Sequence, residues 1–240
     1  MASLVGSRVE RKEDKKLLTG RGKYTADVNF VNQTYAYFVR SPHARAQIKK
    51  VDTSKALKAS GVVSVLTGAD IANDKIGGLI AGWRIKSEDG SDMKVPAHPP
   101  LASESVNYVG DHVAVVIAES LDEARNAAEL VKVDYKILKA VVKTDKAMDS
   151  ENIYKDIPKN LCFDWLLGDR AKTQEAFDKA DKIIKIDLIN NRLIPNAMEP
   201  RAANADYNPS TEEITLYTTS QNPHLARIII SAFNGVAPEN

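Results

Sequence analysis

The side chains that most often do chemistry in proteins are few in this sequence and widely spaced. The four histidines are His43, His98, His112 and His224, and no two of them have the spacing of metal ligands. A histidine without such a partner is usually structural or exposed, and we interpret all four in that way. Cys162 lies beside Phe163 and near Trp165, an apolar setting that predicts a buried, unreactive thiol. We therefore predict no metal ligand in this chain.

Short catalytic and nucleotide-binding motifs are absent from the sequence. There is no G-x-x-x-x-G-K-[ST] phosphate loop, no H-E-x-x-H zinc motif and no G-x-S-x-G nucleophile elbow. The pair Gly20 and Gly22 lacks the third glycine of a dinucleotide-binding fingerprint. Motifs alone therefore indicate an α/β protein without specifying its chemistry.

Composition excludes several classes of protein. The chain has 240 residues with 33 basic and 32 acidic side chains, a net charge of +1, which disfavours binding to nucleic acid or to an anionic membrane. One cysteine cannot form an internal disulfide or hold an iron–sulfur cluster by itself. No apolar run approaches the ~20 residues that span a bilayer, and residues 1–16 lack the apolar core of a secretory signal. We predict a cytoplasmic protein with no membrane span.

The elements that would position functional side chains begin with a strand-rich first half. Apolar and β-branched runs predict strands at residues 35–39, 47–51, 62–66, 113–118 and 131–137. Ser120 is a predicted N-cap for a helix over 121–130, whose alanines at 124, 127 and 128 share one face. The order strand, helix, strand is typical of a β-α-β unit, with a right-handed crossover if the strands are parallel. Residues 77–100 predict a long, loosely structured excursion.

The second half follows a polar segment, residues 147–159, which we interpret as a linker between two domains. A helix is predicted at 173–180, strands at 202–207 and 213–219, and a helix at 223–233 capped by Asn222. A long strand is predicted at 182–194, because Ile184, Ile186 and Leu188 alternate with polar neighbours.

Six segments, in the same order as here, carry a resemblance to a known family. They are RKEDKKLLTGRGKY at 11–24, RSPHARA at 40–46, GVVSVLTGAD at 61–70, VGDHVAVVIAE at 109–119, MEPRA at 198–202 and TSQNPH at 219–224. With them the chain resembles the N-terminal part of the molybdopterin-binding large subunit of the molybdenum hydroxylases. This family includes xanthine dehydrogenase, aldehyde oxidase and aerobic carbon-monoxide dehydrogenase.

The resemblance implies both a fold and a function. The expected fold class is α/β (α+β), with a hammerhead-like domain over residues 1–148 and the start of a molybdopterin-binding domain over 160–240. The complete enzyme would hydroxylate an aldehyde, an N-heterocycle or a similar small molecule with oxygen from water. The implied cofactors are a molybdopterin-type molybdenum cofactor, with [2Fe–2S] clusters and FAD on partner subunits.

One site residue follows from the resemblance, and a second pair is open to two interpretations. Gln221 matches a glutamine that approaches an oxo or sulfido ligand of the molybdenum, so it is the expected catalytic and cofactor-binding residue. An amide can donate a hydrogen bond to such a ligand without adding charge; otherwise Gln221 would help to cap the following helix. Glu199 and Arg201 are close enough in sequence to form a partly buried ion pair with a structural role. A weaker alternative places them beside the substrate channel.

The resemblance also indicates what this sequence does not contain. A glycine-rich segment and a glutamate acting as general base would follow residue 240 in the family, together with most cofactor contacts. We therefore expect the C-terminal part of the molybdenum subunit, an iron–sulfur subunit and a FAD subunit as partners. A split gene product is the working hypothesis, with a truncated piece or a decayed remnant as alternatives. The competing functional hypothesis is a non-enzymatic α/β interaction or assembly module without molybdenum.

Overall fold

The computed structural model describes residues 5–234. The chain forms two compact units, each of which combines separate stretches of sequence. The central unit contains Thr34–Arg192 together with residues 229–234, and the terminal unit contains residues 5–33 together with Leu193–Ile228. The opening segment, residues 5–33, lies in the same unit as the chain that follows Leu193.

The regular elements of the described residues are five α-helices and eight strands. In chain order they are α1 (Asp14–Leu18), β1 (Tyr35–Arg40), β2 (Ala46–Asp52), β3 (Val62–Thr67), α2 (Gly68–Asn73), β4 (Ser105–Val106), β5 (His112–Ala118), α3 (Leu121–Ala128), β6 (Lys132–Ile137), α4 (Arg170–Asp178), β7 (Ala203–Asn208), β8 (Glu213–Thr218) and α5 (Pro223–Asn234). Every predicted strand but that at 182–194 is confirmed to within two residues at its ends. The predicted helices at 121–130, 173–180 and 223–233 correspond to α3, α4 and α5.

The central unit has two three-stranded sheets, in the orders β1-β5-β3 and β4-β2-β6. The middle strand β5 is the most apolar, and Val113 and Val116 are fully buried. Helix α3 covers the first sheet with Ala127 and Ala128, which pack in one cluster with Val116. Ser120 caps α3 as predicted, because its Oγ accepts a hydrogen bond from the Glu123 amide at 3.2 Å.

The parallel β-α-β unit that the element order indicated is not formed. Every strand pairing among residues 5–234 is antiparallel, and β5 and β6 belong to different sheets. Strands β1 and β3 occupy both edges of β5. Strand β6 therefore has no free edge beside β5 and pairs with β2 instead.

A buried arginine holds the chain that follows β6 against the central unit. Arg45 is 8% exposed, and its guanidinium donates hydrogen bonds to the carbonyl of Lys139 at 3.1 Å and to that of Asn152 at 3.0 Å. Its Nη1 also lies 3.6 Å from a carboxylate oxygen of Glu151. The predicted linker, residues 147–159, is therefore tied at Asn152 to the residue that precedes β2, by a charge-assisted hydrogen bond.

The predicted strand at residues 182–194 is wrong. These residues have neither strand nor helix hydrogen bonding, and all of them are exposed. Alternation of apolar and polar side chains favours a strand only where another strand supplies the hydrogen-bond partners. No such partner exists among residues 5–234. The excursion at 77–100 is confirmed, with only an isolated bridge between Lys86 and Asp92 in that described stretch.

The terminal unit is built on the antiparallel hairpin of β7 and β8. The opening segment packs against this hairpin: the Asn204 side chain donates to the Val28 carbonyl at 2.6 Å and to the Gln33 side chain at 3.0 Å. The rings of Phe30 and Tyr217 lie 5.5 Å apart. The opening segment is thus part of the support for the loop that follows β8.

Candidate functional site

The candidate site is the loop at residues 219–222, between the end of β8 and the start of α5. The hydroxyl of Thr218 donates to the carbonyl of Ala202 at 3.1 Å, and the Ala202 amide donates to Thr219 Oγ1 at 3.3 Å. Two of the segments that carried the family resemblance, MEPRA and TSQNPH, are therefore neighbours in space. Neither segment alone predicts this contact, because Thr218 lies 16 positions after Ala202 in the sequence.

Gln221 lies in this loop with its side chain exposed. The Asn222 amide donates to Ser220 Oγ at 3.1 Å, and the Asn222 carbonyl accepts from the Ala226 amide at 2.9 Å. Asn222 is thus at the N-terminal boundary of α5, where sequence analysis placed it. Within residues 5–234 the Gln221 amide neither caps α5 nor donates to any other group. Its two N–H donors face solvent and are available to a ligand.

The ion-pair interpretation of Glu199 and Arg201 is wrong. Glu199 Oε1 accepts hydrogen bonds from the Thr25 amide at 3.0 Å and from its hydroxyl at 3.2 Å. Arg201 is exposed, and within the described chain no carboxylate lies within salt-bridge distance of it. Two donors on one residue satisfy the half-buried carboxylate, so it needs no cation. Glu199 instead fastens the opening segment to the chain just before the hairpin.

A basic cavity of about 770 Å³ lies beside this contact, among residues that were not predicted to form a site. Its lining includes two carboxylates, those of Glu13 and Glu199, and five cations: Lys12, Lys15, Lys16, Arg21 and Lys23. The available signal was the clustering of these five basic residues between positions 12 and 23 of the sequence. Such a concentration of positive charge attracts anions.

The histidines and the cysteine occupy separate structural positions. His112 stacks on Phe38 with ring centroids 4.6 Å apart, and His43 meets the Tyr135 ring edge-on at 5.0 Å. Burial, followed by the nearby Arg40 guanidinium, lowers the pKa of His112 and favours the neutral ring. Among the residues that the structure describes, no group of three or more His, Cys, Asp or Glu side chains could hold a metal ion. Cys162 is half-buried.

Comparison with known proteins identifies the family. The family model described as "Aldehyde oxidase and xanthine dehydrogenase, a/b hammerhead domain" matches residues 19–139. The model described as "Molybdopterin cofactor-binding domain" matches residues 153–240. The chain belongs to the molybdenum hydroxylase family. The mixed α/β fold agrees with this assignment, and the Gln221 loop lies in the part matched by the cofactor-binding domain.

Curated relatives from this family are longer than the chain. It is 34% identical to the nicotine 6-hydroxylase large subunit of Paenarthrobacter nicotinovorans, over 97% of this chain and 28% of that protein. It is 33% identical to the carbon monoxide dehydrogenase large chain of Afipia carboxidovorans, over 98% of this chain and 29% of that one. The chain therefore spans a little over a quarter of the relatives it matches.

Solved structures of molybdenum hydroxylases share the fold over nearly the whole chain. Quinoline 2-oxidoreductase from Pseudomonas putida superposes with a TM-score of 0.83 at 30% identity, covering 98% of this chain and 29% of that one. Aldehyde oxidoreductase from Desulfovibrio gigas gives a TM-score of 0.80. Within residues 5–234, no helix is both long enough and apolar enough to cross a membrane.

Proposed function

We propose that this chain supplies the N-terminal part of the molybdenum-binding subunit of a hydroxylase. The complete enzyme oxidises an aldehyde, an N-heterocycle or a similar small molecule with water-derived oxygen. The observation that supports this most strongly is the order of the two family matches, hammerhead at 19–139 and cofactor-binding domain at 153–240. An interaction module without molybdenum would have no use for a domain that binds a molybdopterin cofactor.

Gln221 is the residue that we propose to contact the molybdenum cofactor. Its amide is exposed and lacks a hydrogen-bond partner among the described residues, as a donor reserved for a ligand would be. A neutral amide orients a metal ligand without changing the charge of the site. When bound, the cofactor would supply the oxidising centre, while Gln221 would hold and orient one of its ligands.

The remaining functions are assigned to partners. The rest of the molybdenum subunit would supply most cofactor contacts and the general base. The [2Fe–2S] clusters and FAD would lie on an iron–sulfur subunit and a FAD subunit, because one cysteine cannot ligate a cluster. We further propose that the assembly is cytoplasmic, which cell fractionation would check.

Purification from the native source, under conditions that preserve complexes, tests the proposed function. Metal analysis of the purified material should find molybdenum in proportion to this chain. Mass spectrometry should find polypeptides corresponding to the iron–sulfur and FAD subunits. A monomer without molybdenum and without larger partners would instead support the non-enzymatic assembly module.

A further inference from the structure

The basic cavity has an excess of positive charge that the described chain does not neutralise. Its lining carries five cations and two carboxylates, hence a net charge of +3, whereas the whole chain has only +1. All the lining residues belong to the terminal unit. Within residues 5–234, no carboxylate lies within salt-bridge distance of any of the five cations. A bound anion would relieve the repulsion between these like charges.

The acidic residues in and near the cavity have other contacts or lie apart from the cations. Glu199 Oε1 already accepts hydrogen bonds from the amide and the hydroxyl of Thr25, at 3.0 Å and 3.2 Å. Asp14, which lies next to Glu13 in the sequence, is paired with Arg11 at 2.9 Å. Glu13 itself is exposed and forms no salt bridge within the described chain. The cations are therefore available to a ligand.

Two backbone amides in the same lining lack an acceptor. Gly22 and Lys23 both line the cavity, and their amides donate to no group among residues 5–234. The preceding amide, that of Arg21, donates to the Lys16 carbonyl at 2.8 Å. Gly22 is half-buried, and backbone amides that are partly removed from water need an acceptor. Consecutive free amides beside positive charge are a feature of sites that bind anions.

The donors of the cavity suit a phosphate group. Arg21 Nε donates to Thr19 Oγ1 at 3.2 Å, and its two terminal nitrogens make no hydrogen bond within the described chain. A guanidinium can bind phosphate through two parallel hydrogen bonds, and lysine ammonium groups bind it as point charges. A phosphate group carries a charge of about −1.5 to −2 at pH 7 and has three strong acceptor oxygens, so it matches the cavity better than a single carboxylate does.

The size of the cavity leaves room for more than the phosphate itself. Its volume of about 770 Å³ lies within the range of roughly 300 to 1,000 Å³ that is usual for small-molecule sites. Leu17 and Tyr24 supply apolar surface to the lining. An organic group attached to the phosphate would contact these two side chains.

We propose that the basic cavity binds a phosphate group, either free or carried by a small metabolite. The phosphate oxygens accept from the Arg21 guanidinium and from the Gly22 and Lys23 amides, and the lysines balance the charge. All five cations precede residue 153, where the match to the molybdopterin cofactor-binding domain begins. The proposed ligand is distinct from the molybdenum cofactor, and the site does not depend on the proposed function.

Two matched double variants test the proposal. Lys16→Gln/Lys23→Gln removes two charges from the cavity, and Lys143→Gln/Lys155→Gln removes two charges elsewhere. All four lysines are exposed, and within the described chain none of their side chains forms a salt bridge or hydrogen bond. Both variants should therefore keep the wild-type circular dichroism spectrum and melting temperature. Each protein is purified from the native source and dialysed to equilibrium against radiolabelled inorganic phosphate or glycerol 3-phosphate.

The wild type and the 143/155 variant should bind about one phosphate per chain, and the 16/23 variant should bind at least about tenfold more weakly. Tighter binding of glycerol 3-phosphate would identify a phosphate ester as the ligand, and tighter binding of inorganic phosphate would identify the free ion. Either result supports the site. Absence of saturable binding up to about 10 mM, or equal weakening in the two variants, would overturn the proposal.

Amide hydrogen exchange and cofactor content locate the bound phosphate. Exchange at Gly22 and Lys23 should slow at least about threefold when phosphate is bound, because their amides then have an acceptor. Unchanged exchange at both residues would overturn the proposal. Protein from cells grown without molybdate should bind phosphate as tightly as protein that contains molybdenum. Binding confined to the molybdenum-free protein would place the phosphate in the cofactor's own site and would also overturn the proposal.

Discussion

Gln221 and Arg45 illustrate two kinds of polar residue in this chain. Gln221 is exposed and has no hydrogen-bond partner among the described residues. Its neighbours on both sides are hydrogen-bonded: Thr218 and Thr219 to Ala202, and Asn222 to Ala226. Arg45 is buried, and its donors are taken up by backbone carbonyls. We expect replacement of the first to affect activity and replacement of the second to affect stability.

Gln221→Ala should lower turnover of the assembled enzyme about ten- to hundredfold, the usual effect of losing a hydrogen bond to a metal ligand. Stability should not change, because the side chain donates to no other group among residues 5–234. Gln47→Ala is the control, since Gln47 is an exposed glutamine on β2. Steady-state kinetics on enzyme with matched molybdenum content provide the measurement. Unchanged turnover in the Gln221 variant would remove this site assignment.

Arg45→Ala should lower the free energy of unfolding by about 2 kcal/mol, because two charge-assisted hydrogen bonds are lost and a buried space is left. Urea denaturation of the isolated chain measures the change. Arg84→Ala, at an exposed arginine, should shift stability by less than about 0.5 kcal/mol. Equal effects of the two substitutions would show that the buried guanidinium does not hold residues 139–152 in place.

At the scale of elements, helix α2 combines close packing with a charged cap. Gly68 begins the helix against the chain at Ala102 and Ser103. Asp70 closes a capping box, because its Oδ2 accepts from the Thr67 amide at 2.7 Å and from the hydroxyl at 2.6 Å. Strand β3 and α2 are therefore joined by local contacts whose contributions can be measured separately.

Gly68→Ala should destabilise the chain by about 2 kcal/mol through overpacking. A Cβ at this position would lie 2.6 Å from the Ala102 carbonyl oxygen and 2.8 Å from Ser103 Cα, and backbone atoms cannot move aside as a flexible side chain can. Gly82→Ala is the matched control, since nothing lies within 4 Å of its added Cβ. Urea midpoints of the two variants should differ clearly; similar midpoints would contradict the packing argument.

Asp70→Asn should cost roughly 1 kcal/mol near neutral pH, and the cost should vanish in acid. Hydrogen bonds from the hydroxyl and the amide of Thr67 lower the pKa of Asp70 in the folded state. The stabilisation is therefore fully present above the unfolded pKa of about 3.9 and is lost as pH falls through the lower folded value. Urea denaturation of both proteins at pH values from 7 to 2.5 would measure this difference in the free energy of unfolding. Asp149→Asn, at an exposed carboxyl, should show no such cost at neutral pH.

At the scale of the whole molecule, the buried core and the exposed apolar surface lie in different parts of the central unit. The core comprises three buried clusters around β2, β3, β5 and α3, whereas residues 163–192 are exposed throughout. Because burial stabilises a segment against local unfolding, the folded sheets should be much more stable locally than the exposed residues 163–192.

Limited trypsin digestion of the isolated chain should cut first within residues 163–192. The sites there are Arg170, Lys172, Lys179, Lys182, Lys185 and Arg192, all exposed. Lys49 and Lys50 are an internal control, because they are equally exposed but belong to the hydrogen-bonded strand β2. Cleavage of a strand requires local unfolding, whereas cleavage of an unpaired segment does not. Mass spectrometry of early fragments would show the order, and early cuts at Lys49 or Lys50 would contradict it.

Local patterns were sufficient to predict most elements of this protein. Strand β5 is a continuous apolar run, α3 follows a serine cap with alanines at helical spacing, and the start of α5 has proline after Asn222. The signals for these elements lie within a few residues of each other, so they could be predicted without knowledge of distant contacts. The resemblance of six short segments also determined the family that the comparisons confirmed.

The pairing of strands and the contacts between distant polar groups could not be predicted from local patterns. Glu199 contacts Thr25, which is 174 positions away, and not the nearby Arg201. Strand β6 joins β2 because both edges of β5 are occupied. Residues 182–194 alternate as a strand does, yet pair with no other segment of the described chain. Alternation reports which side chains could be buried, whereas a strand also needs a neighbouring backbone, and that neighbour comes from distant parts of the fold or from another part of the assembly.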